Sequence, residues 1–131
     1  MSNVNDFPYD THLDIKYEPL ELIDLPAVAA KVTHPWFNQT LCQVNGSVVR
    51  VGIVQGEYHW HKHDDDDEFF FTLEGELLID IREANGAERT VSLRPQQGIT
   101  IPKGVVHRTR AEVRTVMLMV ENAGIVPTGD E

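Results

Sequence analysis

An all-β fold is what this sequence predicts, on two positive observations and one negative one. From Trp36 onward, short apolar runs rich in Val, Ile, Phe and Leu recur, and turn-forming residues separate them at fairly regular intervals. Outside residues 24–32, no stretch sustains the helical period that an amphipathic helix needs. At 131 residues, with 41% hydrophobic and 24% charged side chains, the chain has the length and composition of one globular domain built on one core. The expected organisation is an N-terminal arm and short helix over residues 1–35, followed by a single β domain over residues 36–131.

Each element has a local reason. Residues 1–18 mix Asn, Asp, Pro and Tyr without a usable period, which reads as an arm that either frays or crosses onto a neighbouring molecule. Asp24 is suited to cap a short helix over residues 25–32, with Pro26 in the first turn, where its missing N–H loses no intrahelical bond. LCQV and SVVRVGIV flank Asn45-Gly46, a dipeptide that readily takes positive φ and so closes a tight hairpin. Asn85-Gly86 gives the same signal between ELLIDI and RTVSL. Further strands are expected at YHWHKH, EFFFTL, GITIP and VRTVMLMV, with turns at EGE, RPQQG and PKGV, for roughly eight or nine strands in all. Phe70 shares a strand face with Glu68, and Met117 and Met119 alternate in the last strand, so all three are expected to face the interior or a pocket wall.

The charge balance narrows the partners. With 21 acidic against 11 basic side chains the formal charge is -10, which repels phosphate backbones and anionic membrane surfaces. Neither a nucleic acid nor a membrane is expected as a partner. The single Cys42 has no second cysteine to pair with and fits a reducing compartment. The first twenty residues have neither the basic start and apolar stretch of a secretory signal nor the Arg-rich look of a transit peptide. A cytoplasmic location is the expectation.

Chemistry concentrates in HWHKHDDDDE, residues 59–68, which holds three of the chain's six histidines. Alternate side chains of a strand share a face, so His59, His61 and His63 line one face while Trp60 and Lys62 line the other. One strand presents its side chains nearly parallel, whereas a divalent metal requires donors from several directions. The four aspartates at 64–67 suit a solvated turn, and a hairpin there would return Glu68 beside His61 and His63. A fourth donor is available in PKGVVH, where His107 follows a Pro-Gly turn at the start of a short strand. His61, His63, Glu68 and His107 are therefore the expected ligands of a mononuclear divalent metal. Three imidazoles and one carboxylate suit Fe, Mn, Ni, Zn or Cu, and the absence of thiolate ligands argues against a closed structural zinc site. His59, one step further along the strand, is expected beside the metal instead of on it.

These residues resemble the motifs of the cupins, small β-barrel proteins of jelly-roll type. In the first motif a glycine precedes His-x-His, then a Glu and a further glycine; here Gly56, His61-Lys62-His63, Glu68 and Gly75 correspond, with the opening spacer one residue short. In the second, Pro102-Lys103-Gly104-Val105-Val106-His107 reproduces the middle, while Gln96 stands where a glycine is expected and Ala111 where an asparagine is expected. The resemblance spans about residues 36–130, and WHKH, the acidic loop, EFFFTLEGEL and PTGD look most like a group loosely called mannose-6-phosphate-isomerase-like. It implies a double-stranded β-helix barrel and a metal-dependent enzyme of dioxygenase, isomerase or lyase type acting on a small polar organic molecule. Tyr58 and His59 are the candidates for a catalytic base. The alternative is a non-catalytic metal or small-ligand binder, since one barrel serves both purposes. A third reading is an interaction module in which the arm and Trp36-Phe37 contribute to a homodimer, and a homodimer is compatible with either of the others.

Overall fold

The alternation of apolar residues resolves into strands whose two faces bury different neighbours. The computed structural model describes residues 8–130, in which eight strands and one short helix follow the order β1 (Asp10–His12), α1 (Leu25–Ala29), β2 (Trp36–Val44), β3 (Ser47–Glu57), β4 (Glu68–Glu74), β5 (Leu77–Arg82), β6 (Glu88–Leu93), β7 (Gly98–Ile101) and β8 (Val106–Asn122). The strands hydrogen-bond in the order β1-β2-β3-β8-β4-β7, with β5 joining β8 and carrying β6. Among the described residues no helix is long and apolar enough to cross a membrane.

The 17-residue β8 is the spine of the fold. Its first part pairs with β5, Ile81 opposite His107 and Leu78 opposite Arg110. Its second part has β3 on one side, with Arg50 opposite Met119, and β4 on the other, with Glu68 opposite Glu121. One continuous strand therefore stands where the sequence predicts a short strand after His107 and a separate one at VRTVMLMV. The intervening residues stay extended because Ala111 and Thr115 are both buried between partner strands.

Period-two patterning sorts the side chains into two cores. The inner one gathers Trp36, Val54, Tyr58, Phe70, Ile79, Ile101, Met117 and Met119, among others. Trp36 is 3% exposed, so this ring packs inside its own barrel and is not available to a second molecule. The outer core forms where Leu41, Val51, Ile53 and Val116 meet Val28 of α1, with Phe37 and Tyr17 packed against it. Each such side chain, fully buried, contributes about 1.5–3 kcal/mol.

The turns follow the expected chemistry in part. Asn45 takes φ 53° in the β2–β3 hairpin, and the helix is capped by the Asp24 side chain accepting from the Ala27 N–H at 3.2 Å. That helix ends at Ala29, three residues before the expected boundary, and the chain leaves it in tighter turns, Lys31 N–H to the Val28 carbonyl and Val32 N–H to that of Ala29. In the β5–β6 loop the left-handed residue is Gly86 at φ 88°. The arm differs most from expectation: β1 pairs in parallel with β2, Asp10 opposite Phe37, so residues 10–12 dock on their own barrel. The part of the arm reading that falls on residues 1–7 lies outside the described residues.

Candidate metal centre

YHWHKH does not form the regular strand its alternation suggests. β3 extends to Glu57, and beyond it the chain stays extended with a single bridge, His61 to His107, whose backbone N–H and carbonyl groups exchange two bonds of 2.9 Å. His107 sits at the start of β8, so this bridge is what brings the two motifs side by side. Glu68 arrives by another route than the expected hairpin. It opens β4, which pairs with β7 and β8, and it reaches the histidines across the interior because its face is shared with Phe70 and Thr72.

The result is a cluster in which one donor atom each from His61, His63, Glu68 and His107 lies within 4.8 Å of the other three. His63, Glu68 and His107 are buried, and His61 is half-buried. Glu68 Oε1 is 3.3 Å from His107 Nε2 and 3.5 Å from His63 Nε2. The outward nitrogens of two rings are fixed: His61 Nδ1–H donates to the His59 carbonyl at 3.1 Å and His107 Nδ1–H to the Val105 carbonyl at 2.9 Å. That tautomer leaves an Nε2 lone pair on each. On His107 this lone pair faces the lone pairs of a carboxylate oxygen, an arrangement that holds only with a proton or a cation between them. His63 is 2% exposed, and neither of its ring nitrogens makes a hydrogen bond of good geometry. A buried imidazole whose nearest polar contact is a carboxylate 3.5 Å away is costly unless something else binds it. The donor set therefore fits a divalent cation.

Electrostatics point the same way. Burial, joined by the neighbouring His107, pushes His61 down to about 3, so its ring is neutral and ready to ligate at neutral pH. Burial works to raise Glu68, but the Glu121 carboxyl and the His107 and His63 rings together hold it well below the usual carboxylate range. Glu121, directly opposite Glu68 in the β4–β8 register, is driven the other way, by burial first and then by Glu68 itself. One member of this buried carboxyl pair stays ionised and the other stays protonated, as two close carboxyls require.

Behind the donors lies a cavity lined by Trp36, Asn38, Arg50, Tyr58, Phe70, Thr109, Met117, Met119 and Pro127, together with His61 and Glu68. Phe70 and both methionines thus occupy the expected wall. Arg50 is 2% exposed and its Nη1 donates to Glu121 Oε1 at 2.8 Å. Neither Arg50 nor Glu121 figures among the residues the sequence analysis singles out. The signal was available: an arginine in the middle of VVRVGIV and a glutamate ending VMLMVE are charges inside strands otherwise buried, and such charges are retained only with a partner.

The candidate bases are placed differently. Tyr58 lines the cavity, but its hydroxyl donates to the Pro127 carbonyl at 3.1 Å, and burial raises its pKa far above the ordinary phenol value. It can donate a hydrogen bond; it is not a base. His59 is not one of the four clustered donors, and both ring nitrogens are engaged: Nε2–H donates to the Thr128 carbonyl at 2.6 Å, and Nδ1 lies 3.1 Å from the Tyr9 hydroxyl. Tyr9 comes from the arm and stacks on Tyr58 with ring centres 4.2 Å apart. Trp60, on the other face, lies under the guanidinium groups of Arg82 and Arg108 at 4.4 and 5.0 Å.

The acidic loop is more than a solvated turn. The Asp64 N–H donates to Asp130 Oδ2 at 2.6 Å, Asp66 Oδ1 accepts from Asn122 at 3.0 Å, and Asp67 Oδ1 accepts from the Lys103 N–H at 3.0 Å. It thereby ties the first histidine segment to the Pro-Gly turn before His107 and to the tail. In that tail Gly129 has φ 95° and passes so close that an added Cβ would stand 2.6 Å from His61 Cβ. Only glycine allows the approach. The two departures from the second motif also resolve. Gln96 adopts φ 70°, keeping the left-handed turn without the glycine, and Ala111, 3% exposed, joins the inner core in place of a polar side chain.

Similarity to known proteins bears on this arrangement. The chain is 46% identical over 99 residues, 76% of its length and 84% of the relative's, to the uncharacterized protein YdbB of Bacillus subtilis. A cupin-2 domain containing protein from Shewanella frigidimarina superposes with a TM-score of 0.69 at 27% identity, covering 77% of this chain and 94% of that one. Oxalate decarboxylase from Bacillus subtilis, a protein with Mn(II) centres, shares the fold at a TM-score of 0.53 and 18% identity, over 59% of this chain and 21% of its own. Residues 48–121 match the Cupin_2 family of cupin domains, and with that match spanning β3 to β8 the chain belongs to the cupins.

Proposed function

We propose that this cupin holds one divalent transition metal through His61, His63, Glu68 and His107 and acts as a metal-dependent enzyme on a small polar organic molecule, by dioxygenase, isomerase or lyase chemistry. The observation that carries the reading is the convergence of four donor atoms within 4.8 Å beside a cavity that two of the same residues line. Bound there, a metal supplies Lewis acidity toward a carbonyl or carboxyl oxygen and, if it is Fe or Mn, a redox-active centre. The chain supplies the rest. Trp36, Phe70, Met117 and Met119 exclude water and lower the local dielectric. Tyr58 stays protonated and offers only an O–H, while His59 and Thr128 hold the histidine segment in place. Donors of N and O type, without thiolate, suit Fe, Mn, Ni, Zn or Cu, and the Mn(II) centres of the related decarboxylase support such a metal in this fold. Within this reading the mannose-6-phosphate-isomerase-like resemblance describes shape; the chemistry is argued from the site.

A second reading, a non-catalytic metal or small-ligand binder, is favoured by the narrowness of the cavity, in which only about 20 Å³ admits the centre of a water molecule. Elemental analysis of protein purified without added metal is the deciding test of the metal. Less than about a tenth of an equivalent of any transition metal, with no thermal shift on adding Mn, Fe, Ni, Zn or Cu, would falsify the centre. Product formation in a screen of small carboxylic acids, diketones and sugars separates enzyme from binder. A cytoplasmic homodimer completes the proposal, and light scattering that returns the monomer mass of 14.8 kDa sinks its dimeric part.

A further inference from the structure

One group in the cavity is not used by the metal. Arg50 is 2% exposed, and of its three guanidinium nitrogens only Nη1 has a partner, Glu121. Nε and Nη2 are buried and make no hydrogen bond. Arg50 is also the one cation among the residues that line the cavity, where it stands with Asn38, His61 and Glu68 among aromatic and methionine side chains. A guanidinium carries its donors in a planar fork that matches a carboxylate, and burying two of those donors unpaired is unfavourable unless a ligand or water completes them. The strand geometry explains how the group comes to be there. On β3, Arg50 and Val54 face the inner core while Val51 and Ile53 face the outer one. Arg50 is thus directed inward by the same alternation that directs the core.

We infer that Arg50 is the carboxylate anchor of the cavity, and that the ligand of this protein is a small organic carboxylate bound between the Arg50 fork and the cluster of His61 and Glu68. The inference rests on the cavity's being the ligand site of the metal centre proposed above, and it narrows the small polar molecule to an anionic acid. The cavity is small, about 20 Å³, which limits the ligand to an acid of few non-hydrogen atoms that enters with its carboxyl end first. Asn38 adds an amide that can bond a second polar group of such an acid.

The test uses acetate and pyruvate with their amides, acetamide and pyruvamide, as neutral isosteres. Each is titrated into metal-free and metal-loaded protein while the Arg50 Nε–H resonance is followed by NMR. Both acids are expected to shift that resonance and to bind at least tenfold more tightly than the amides. Arg50→Met alone would leave the Glu121 carboxyl without its donor in the interior, so the binding-loss variant is the pair Arg50→Met with Glu121→Gln, which removes the guanidinium and keeps a neutral hydrogen-bonding side chain at position 121. It is expected to lose at least tenfold in acid affinity and to bind acid and amide alike. Metal-loaded protein whose Arg50 Nε–H is unmoved by either acid, or whose double variant binds acids as tightly as the wild type, overturns the anchor and leaves the metal centre standing. Protein that takes up no metal but still shows the acid-specific shift overturns the metal centre and keeps the anchor.

Discussion

At the residue scale, function divides between side chains that look alike in the sequence. His59, His61 and His63 alternate identically, yet His59 is held by Thr128 and Tyr9 while the other two join Glu68 and His107. His107→Ala is accordingly expected to lose bound metal, and His59→Ala to retain most of it, as measured by metal content after dialysis; equal loss in the two would put His59 among the ligands. Gln96 illustrates a smaller tension. A non-glycine residue at φ 70° carries conformational strain, so Gln96→Gly should raise stability by up to about 1 kcal/mol in urea denaturation, with any loss showing that its side chain matters more than its backbone. The clustering of His61, His63, Glu68 and His107 was legible because the motif spacings keep these residue types in register. Arg50 and Glu121 showed only as charges inside apolar strands, and their pairing was not legible, because they lie 71 positions apart and nothing local in either segment names the other.

Elements explain how those residues meet. Regular turns could be read directly: Asn45 and Gly86 provide left-handed conformations where the hairpins need them. The histidine segment could not, because its alternation is that of a strand while only His61 finds a strand partner. Nor could the pairing of β4 with β8 in place of the histidine segment, since long-range pairing is set by the whole sheet and not by the loop at 64–67. On the outer side of β5, Asp80 accepts from Thr90 on β6 at 2.6 Å and from Arg108 and Arg110 on β8 at 2.8 Å each, clamping three strands. Burial opposes its ionisation, but the bonds from Arg110, Thr90 and Arg108 win and hold the carboxyl far below its usual range. A depressed folded-state value contributes stability that is present above the unfolded carboxyl value of about 4 and fades as pH falls below it. The stability lost in Asp80→Asn should therefore be greatest near pH 6 and shrink steadily from about pH 4 downward in urea melts. A difference that grows on acidification would contradict the clamp.

On the scale of the whole molecule, the site and the fold stabilise each other. His63, Glu68 and His107 sit in a buried, polar pocket of an otherwise apolar interior, so metal-free protein carries a buried His63 with neither ring nitrogen hydrogen-bonded. A metal at a hundred times its dissociation constant should add about 2.7 kcal/mol, which for a chain of this length raises the unfolding midpoint by roughly 10 °C. Differential scanning calorimetry with and without metal measures it, and an unchanged midpoint would show that the pocket is already satisfied. The overall class was readable from composition and turn spacing. The docking of the arm was not, because β1 and Tyr9 are held by β2, Tyr58 and His59, contacts that no local pattern announces.

The length of β8 has a consequence for how the protein is made. On the ribosome, His61, His63 and Glu68 emerge well before His107, and β3, β4 and β5 all lack their common partner until residues 106–122 have followed. The nascent chain can therefore hold hairpins but not the four-donor cluster, which closes only when the last long strand threads between its neighbours. Any metal at this cluster would thus bind late in biogenesis, once β8 has been laid down.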